Sequence, residues 1–221
     1  MLISHRCQFI IFTDPLKSCQ WLQQTLSPWS DQPVAPAKKY SDKSLFFNGM
    51  SPAEAELAFD LSGLPFHNYT RIAVVQNPFR RMAQLYDRIK ATDPLWRLRK
   101  RAGLDLPDFG AWLEKTRPDG NGAGFIAGPR WRKYGAWSAD AWGDGRITNF
   151  VRAETVAEDL RGVFRQMGVA PVFGDNSEEQ EMHRFAEMLR YDATTMEIIR
   201  DRYRSDLNLY QKPAPKLRLV A

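Results

Sequence analysis

Two cysteines, Cys7 and Cys19, and three histidines are all the thiol and imidazole metal ligands that 221 residues supply. Two cysteines cannot build a zinc site or a disulfide framework, and they read as free thiols in a reducing compartment. No apolar run approaches the roughly 18 to 20 residues that a bilayer-crossing helix needs. The opening, MLISHRCQFIIF, has too short an apolar core for a secretory leader. The expectation is a soluble, cytoplasmic chain with no metal. There is no GxxxxGK[ST] stretch, which argues against a standard nucleoside triphosphatase. No internal repeat appears either.

What is present suits one globular domain spanning residues 1–221, with 211–221 as an extended or mobile tail. Hydrophobic residues make up 43% and charged ones 26%, a composition that packs rather than staying disordered. Lys and Arg number 31 against 26 Asp and Glu, a net charge of +5. That excess favours an anionic ligand, whether nucleotide, sulfated sugar, nucleic acid or membrane surface.

The chemistry is most legible from Arg71 to Ile89. Ile72-Ala73-Val74-Val75 is an apolar run without polar alternation, as in a strand buried on both faces. Asn77 is a good helix N-cap and Pro78 a good first helical residue. Met82, Leu85, Tyr86 and Ile89 then fall at i, i+3, i+4 and i+7, the stripe of a helix packed on a sheet. Arg80, Arg81, Arg88 and Lys90 are placed off that stripe. A buried strand feeding a helix start is the usual place for a phosphate in α/β proteins. Gln84 lies almost two turns beyond Asn77, so Gln76 and Gln84 share one side of the helix and can serve one ligand.

Other segments repeat the strand–turn–helix theme. Gln8 to Thr13 reads as the first strand, followed after Asp14-Pro15-Leu16-Lys17-Ser18 by a helix through Leu26. Ser44 to Asn48 reads as a short strand. Ser51 and Glu54 form a capping-box pattern for a helix to Leu61, stopped at Gly63. Trp96 to Arg101, WRLRKR, is either a grip on an acidic acceptor or a helix with a solvated basic face. Leu106 to Leu113 holds another helix, and the glycine-rich 116–128 a long loop. Trp131, Tyr134, Trp137 and Trp142, set among Arg130, Arg132 and Lys133, either cover the core or offer a stacking surface. Ile147 to Val151 is a third strand candidate. Thr155 and Glu158 suggest a capping box for a helix ending at Gly168. Ser177 opens an acidic helix, and Thr194 to Tyr210 forms the last one. Strands each followed by a helix predict an α/β fold with a central parallel sheet flanked by helices.

Three segments, in order, resemble the carbohydrate-type sulfotransferases, which use 3′-phosphoadenosine 5′-phosphosulfate. QNPFRRMAQLY, from Gln76 to Tyr86, is similar to that family's RNPYDRLVSAY. ITNFVRAETVAEDLRGVFRQMGV, Ile147 to Val169, is similar to vgRfE-x-l-x-xDf-x-x-v-x-x-x-lgi. MEIIRDRYRSDLNLYQ, Met196 to Gln211, is similar to the closing helix eiV-x-x-x-Y-x-x-Dl-x-x-f. The resemblance implies a P-loop-NTPase-like sulfotransferase fold. It also implies sulfuryl transfer to a hydroxyl of a carbohydrate or small-molecule acceptor. In the family, the first Arg and the Ser of the first segment grip the 3′-phosphate, so the resemblance puts Gln76 and Gln84 there. The family's 5′-phosphosulfate loop, hiPKtgGTSl, corresponds to DPLKSCQWL. A match on Pro15 puts Leu16 at the family lysine, and a slide of one puts Lys17 there. Neither register restores the glycines.

Sulfuryl transfer needs a base for the acceptor hydroxyl and a cation for the leaving bridging oxygen. Lys17 is the candidate cation, with Ser18 beside it in the donor loop. Of the three histidines, His5 sits at the start and His183 in the late acidic helix. His67, just before the central strand, is therefore the candidate base. Arg80 and Arg81, near the helix start, complete the expected donor-binding set with Lys17, Ser18, Gln76 and Gln84. The alternative is a degenerate member that binds a nucleotide or an anionic partner without turnover. A nucleic-acid partner would rest on charge and aromatics alone and is not expected.

Overall fold

A computed structural model describes residues 1–13, 20–35, 44–115, 145–170, 173 and 190–211. The chain is α/β, and it divides into two compact units. The first comprises residues 1–75, 139–175 and 209–221, and the second 76–138 and 176–208.

The first unit holds a four-stranded sheet in the order β1-β2-β3-β4. These strands are β1 Leu2–Ser4, β2 Phe9–Phe12, β3 Thr70–Val75 and β4 Asn149–Arg152. β1 pairs antiparallel with β2, whereas β2–β3 and β3–β4 are parallel. The two apolar runs expected as strands, within Gln8 to Thr13 and Ile72 to Val75, are therefore adjacent and parallel. The third begins two residues later than expected, so Arg152 belongs to the strand and stands opposite Val75. Ser44 to Asn48 is not a strand; Phe47 makes only an isolated bridge to Ala35.

Alternation along the strands sends Phe9, Ile11, Ile72, Val74 and Val151 into one core. There they meet Leu22 and Leu26 of α1 (Gln20–Leu26) and Leu160, Val163 and Phe164 of the helix Val156–Gln166. Residues of the opposite parity, such as Arg71, turn to the other face. The Arg71 guanidinium lies 5.2 Å over the Phe66 ring, and Phe66 in turn packs edge-on against Phe59 of α2 (Pro52–Leu61). The sheet of this unit thus has helical cover on both faces, as a sheet buried on both sides requires.

The short connection between β1 and β2 is stapled by one carboxylate. Asp31 accepts the backbone N–H groups of His5 and Arg6 at 2.6 and 2.8 Å. Burial pushes its carboxyl up, but the His5 and Arg6 amides outweigh it and hold Asp31 below the usual range. A lowered carboxyl stabilises the fold above the unfolded-chain value, near 3.9, and loses that contribution as pH falls below it. Amide exchange at His5 and Arg6 is therefore expected to accelerate as pH is taken below about 4, beyond the intrinsic trend. In Asp31→Asn that pH-dependent component disappears; if it persists, the staple is not what protects the turn.

The second unit is helical among its described residues, with α3 Pro78–Thr92, α4 Pro94–Arg101, α5 Phe109–Lys115 and α7 Ala193–Arg202. The Val156–Gln166 helix of the first unit is α6, and α8 is Arg204–Gln211. Tyr86 is the hub of this unit, edge-on to Trp96, Phe109 and Trp112. The single last helix expected from Thr194 to Tyr210 is broken at Tyr203, between α7 and α8. The loop 116–128, the aromatic segment 129–142 and the acidic helix from Ser177 lie outside the described residues. No helix among the described residues is long and apolar enough to cross a membrane.

Candidate functional site

The start of α3 is built as its sequence dictates. Asn77 is the N-cap, its Oδ1 accepting the Phe79 amide at 3.0 Å, and Pro78 occupies the first helical turn. This leaves a polar cap directly after the buried strand β3. Within the second unit the helix is held in place by Tyr191, whose hydroxyl donates to the Phe79 carbonyl. Arg190 adds an ion pair to Asp87 at 2.8 Å.

Gln76 and Gln84 do come together. The Gln76 side chain runs alongside α3 and donates from Nε2 to Gln84 Oε1 at 3.0 Å. Gln76 is buried, and its own Oε1 meets no hydrogen-bond donor among the described residues. The pair presents neutral amide atoms where the resemblance implies a guanidinium and a hydroxyl. A neutral amide hydrogen bond to phosphate contributes about half of a charge-assisted one.

Arg81 is a correction. The expectation placed it off the apolar stripe as a cation for an anion; instead it is 2% exposed. Its Nη1 faces Asp206 Oδ1 at 3.4 Å, and its guanidinium lies 5.2 Å over the Tyr203 ring. Its charge is neutralised inside the helical unit, because a buried guanidinium demands a buried anion. Arg80 is half-buried beside it. Lys17 and Ser18 lie outside the described residues.

In the first unit, the end of β4 carries an ion pair that no local sequence pattern announces. Arg152 donates from Nε and Nη2 to Asp159 of α6, at 3.2 and 3.0 Å, and its backbone N–H reaches the same carboxylate at 2.9 Å. The Thr155 hydroxyl joins them at 3.2 Å. That is why the expected Thr155–Glu158 capping box does not form: the Thr155 side chain makes no cap bond and residues 153–155 form a 3-10 turn. The Asp159 hydrogen bond is the largest influence on Arg152 and holds its guanidinium above its ordinary value.

His67 stands elsewhere. It lies in the 3-10 turn Phe66–Asn68 that precedes β3, at the amino end of the strand. Roughly 17 Å of extended chain separates Thr70 from Val75 at the carboxyl end. Its Nε2 lies 3.0 Å from Glu56 Oε1, and Arg146 Nε donates to the other Glu56 oxygen at 2.5 Å. The His67 side chain is 72% exposed. A donor held at the carboxyl edge of the strands, where the resemblance places it, is out of reach of this imidazole.

Among the described residues no group of three or more His, Cys, Asp and Glu side chains is arranged to hold a metal ion. No family model, curated protein or solved structure matches the chain.

Proposed function

We propose that the chain is a sulfotransferase-like protein using 3′-phosphoadenosine 5′-phosphosulfate as co-substrate. In this reading the acceptor is a hydroxyl of a carbohydrate or small molecule. The acceptor oxygen bonds to sulfur as the bridging S–O bond breaks, the hydroxyl proton passes to a base, and adenosine 3′,5′-bisphosphate departs. Lys17 is assigned to the bridging oxygen and Ser18 to the 5′-phosphosulfate. Gln76, Gln84 and Arg80 are assigned to the 3′-phosphate side, and the proton goes to a group other than His67. The P-loop-like form of the α/β fold belongs to the same proposal.

The observation that carries this reading is a contact between two separated segments that resemble one family. Arg81, from the QNPFRRMAQLY segment, is buried against Tyr203 and Asp206 of the closing segment. These are the tyrosine and aspartate positions of the Y-x-x-D pattern. Within the remaining segment, the matched Arg152 and Asp159 bond to each other. The matching residues are thus struts: Arg81 ties α3 to the closing helices within the helical unit, and Arg152 with Asp159 ties the end of β4 to α6, so the resemblance is carried by parts with a structural reason to recur.

One observation favours a second reading, binding without turnover: Gln76 and Gln84 are bonded to each other and bring no charge. Both readings are tested with the bisphosphate. A selective rise in melting temperature with it, and not with heparin or RNA, supports a nucleotide site. Transfer of labelled sulfate to a hydroxyl acceptor then separates an enzyme from a binder. The paired change Gln76→Arg with Gln84→Ser is expected to tighten bisphosphate binding by about tenfold or more, the difference of one charged contact. Calorimetric titration reads it, with circular dichroism to show that the fold is kept. No tightening would mean that the 3′-phosphate is not held at the start of α3.

A further inference from the structure

We propose that α4 and the turn after it form a docking surface for an anionic lipid bilayer. The inference is independent of the donor reading and rests on the second unit alone. Trp96 anchors α4 from below, 2% exposed and edge-on to Tyr86 at 5.7 Å. Leu95 and Leu98 stand on the outer side, 42% and 62% exposed. Helical spacing sets Leu95, Leu98 and Ala102 in one strip and Arg97 and Arg101 in the next.

The turn after α4 is fixed rather than loose. Gly103 adopts φ +70, its amide reaches Lys100 O at 3.2 Å, and Leu104 N–H reaches Arg99 O at 3.0 Å. This glycine-based C-terminal cap folds Leu104 back toward the last helical turn. Leu104 is nevertheless 56% exposed. Three large aliphatic side chains therefore stay in water on a rigid platform, where a free-standing surface gains nothing from them.

Charge names the partner. The eight residues of α4, PLWRLRKR, contain four cations and no carboxylate. Asp93, just before them, is occupied as the N-cap, accepting the amides of Leu95 and Trp96. Arg97 is pinned across the end of α3 by two bonds to the Ala91 carbonyl. Arg99 is turned toward the Asp105 carbonyl, leaving Lys100 and Arg101 without an ion pair among the described residues. Exposed leucines amid cations match the acyl boundary of a bilayer with anionic headgroups. A nucleic acid would instead call for outward aromatic platforms, and the one aromatic of α4 is turned inward.

The test is sedimentation of the full chain with phosphatidylcholine vesicles, with and without roughly one third phosphatidylglycerol. Binding to the anionic vesicles is expected at about 0.1 M salt and is expected to weaken at least tenfold at about 0.5 M. The neutral vesicles should bind at least tenfold more weakly. Leu98→Glu with Arg101→Glu should abolish binding without changing the melting temperature, since both side chains are exposed. Lys100→Gln with Arg101→Gln, a milder pair, should weaken it about fivefold per charge removed. A charge-matched control, Leu61→Glu with Arg165→Glu, should retain binding to within twofold to threefold after allowance for net charge. Failure to bind the anionic vesicles would overturn the proposal. So would equal loss in the control and the α4 variants, or RNA binding that the α4 variants lose while vesicle binding persists.

Discussion

Arg81→Met is expected to lower the unfolding free energy by about 3–5 kcal/mol, the usual consequence of orphaning one member of a buried ion pair. Arg81 and Asp206 side chains are each 3% exposed, so water cannot re-solvate the aspartate left behind. The cation over the Tyr203 ring is lost as well. The paired change Arg81→Met with Asp206→Leu should recover most of the loss, because the desolvation penalty of both charges then vanishes. Urea unfolding of the two single variants and the double one gives the coupling directly. If the double variant is as unstable as the singles added together, the pair is not acting as a pair. The cycle also guards the functional test: an Arg81 substitution that weakens nucleotide binding by unfolding the helical unit says nothing about a phosphate contact.

Tyr203 gives the same cluster a spectroscopic reporter. Burial pushes its phenol up to about 12; Arg81 pulls it down and Asp206 pushes it up. A raised phenol leaves the stabilising contribution intact below the unfolded-chain value, near 10. That contribution is lost as pH rises from there through about 12. The phenolate absorbance of Tyr203 should appear in an alkaline titration only as the pH nears about 12, beyond the ordinary tyrosine range near 10.

The sequence signals that were readable are those that act over a few residues. Ser51 and Glu54 form both halves of their capping box. Asn77 caps α3, and Gly63 and Gly168 end their helices at positive φ. Features that depend on partners far along the chain leave a weaker trace. Arg81 fell to the solvent side because of its charge, yet Pro78, Arg81, Met82, Leu85 and Ile89 keep core spacing, and all are buried. Ile199, Tyr203 and Asp206 repeat the pattern on the closing helices and are buried too. Two opposite charges at core positions on separate helices are the legible trace of a buried pair. Residue type obscured it, and position would have revealed it. Glu56 beside His67 and Arg146 has no such trace, since His67 lies past the end of α2 and Arg146 stands 90 positions along the chain from Glu56. At the candidate site only the turn was legible: β3 gives way to the Asn77-capped start of α3 as expected, but that Gln76 and Gln84 bond to each other follows from side-chain reach, which spacing alone leaves open.

Phe59→Ala is expected to cost about 3–5 kcal/mol, as large aromatic truncations in closed cores do. Phe59 is fully buried. Its ring meets those of Tyr69 at 4.9 Å, Phe46 at 5.4 Å, Phe66 at 5.5 Å and His5 at 6.1 Å. Such edge-to-face contacts add about 0.5–1.5 kcal/mol each beyond area burial. They are not additive here, because one ring shares a single cage. No other large side chain of α2 substitutes for it: the helix's remaining buried residues are Pro52, Ala55 and Ala58, while Leu57 and Leu61 are 60% and 69% exposed. Phe59→Leu, which fills part of the volume but loses the ring geometry, should fall between wild type and Phe59→Ala. Leu61→Ala should stay within about 0.5 kcal/mol. Because Phe66 also carries the Arg71 guanidinium against the sheet, the loss should spread to β3. Hydrogen exchange in Phe59→Ala is then expected to quicken in α2 and in the 3-10 turn before β3 ahead of α6, which packs on the opposite face. Uniform quickening across both faces, or a loss below about 1 kcal/mol, would show that Phe59 fills space without holding the layer.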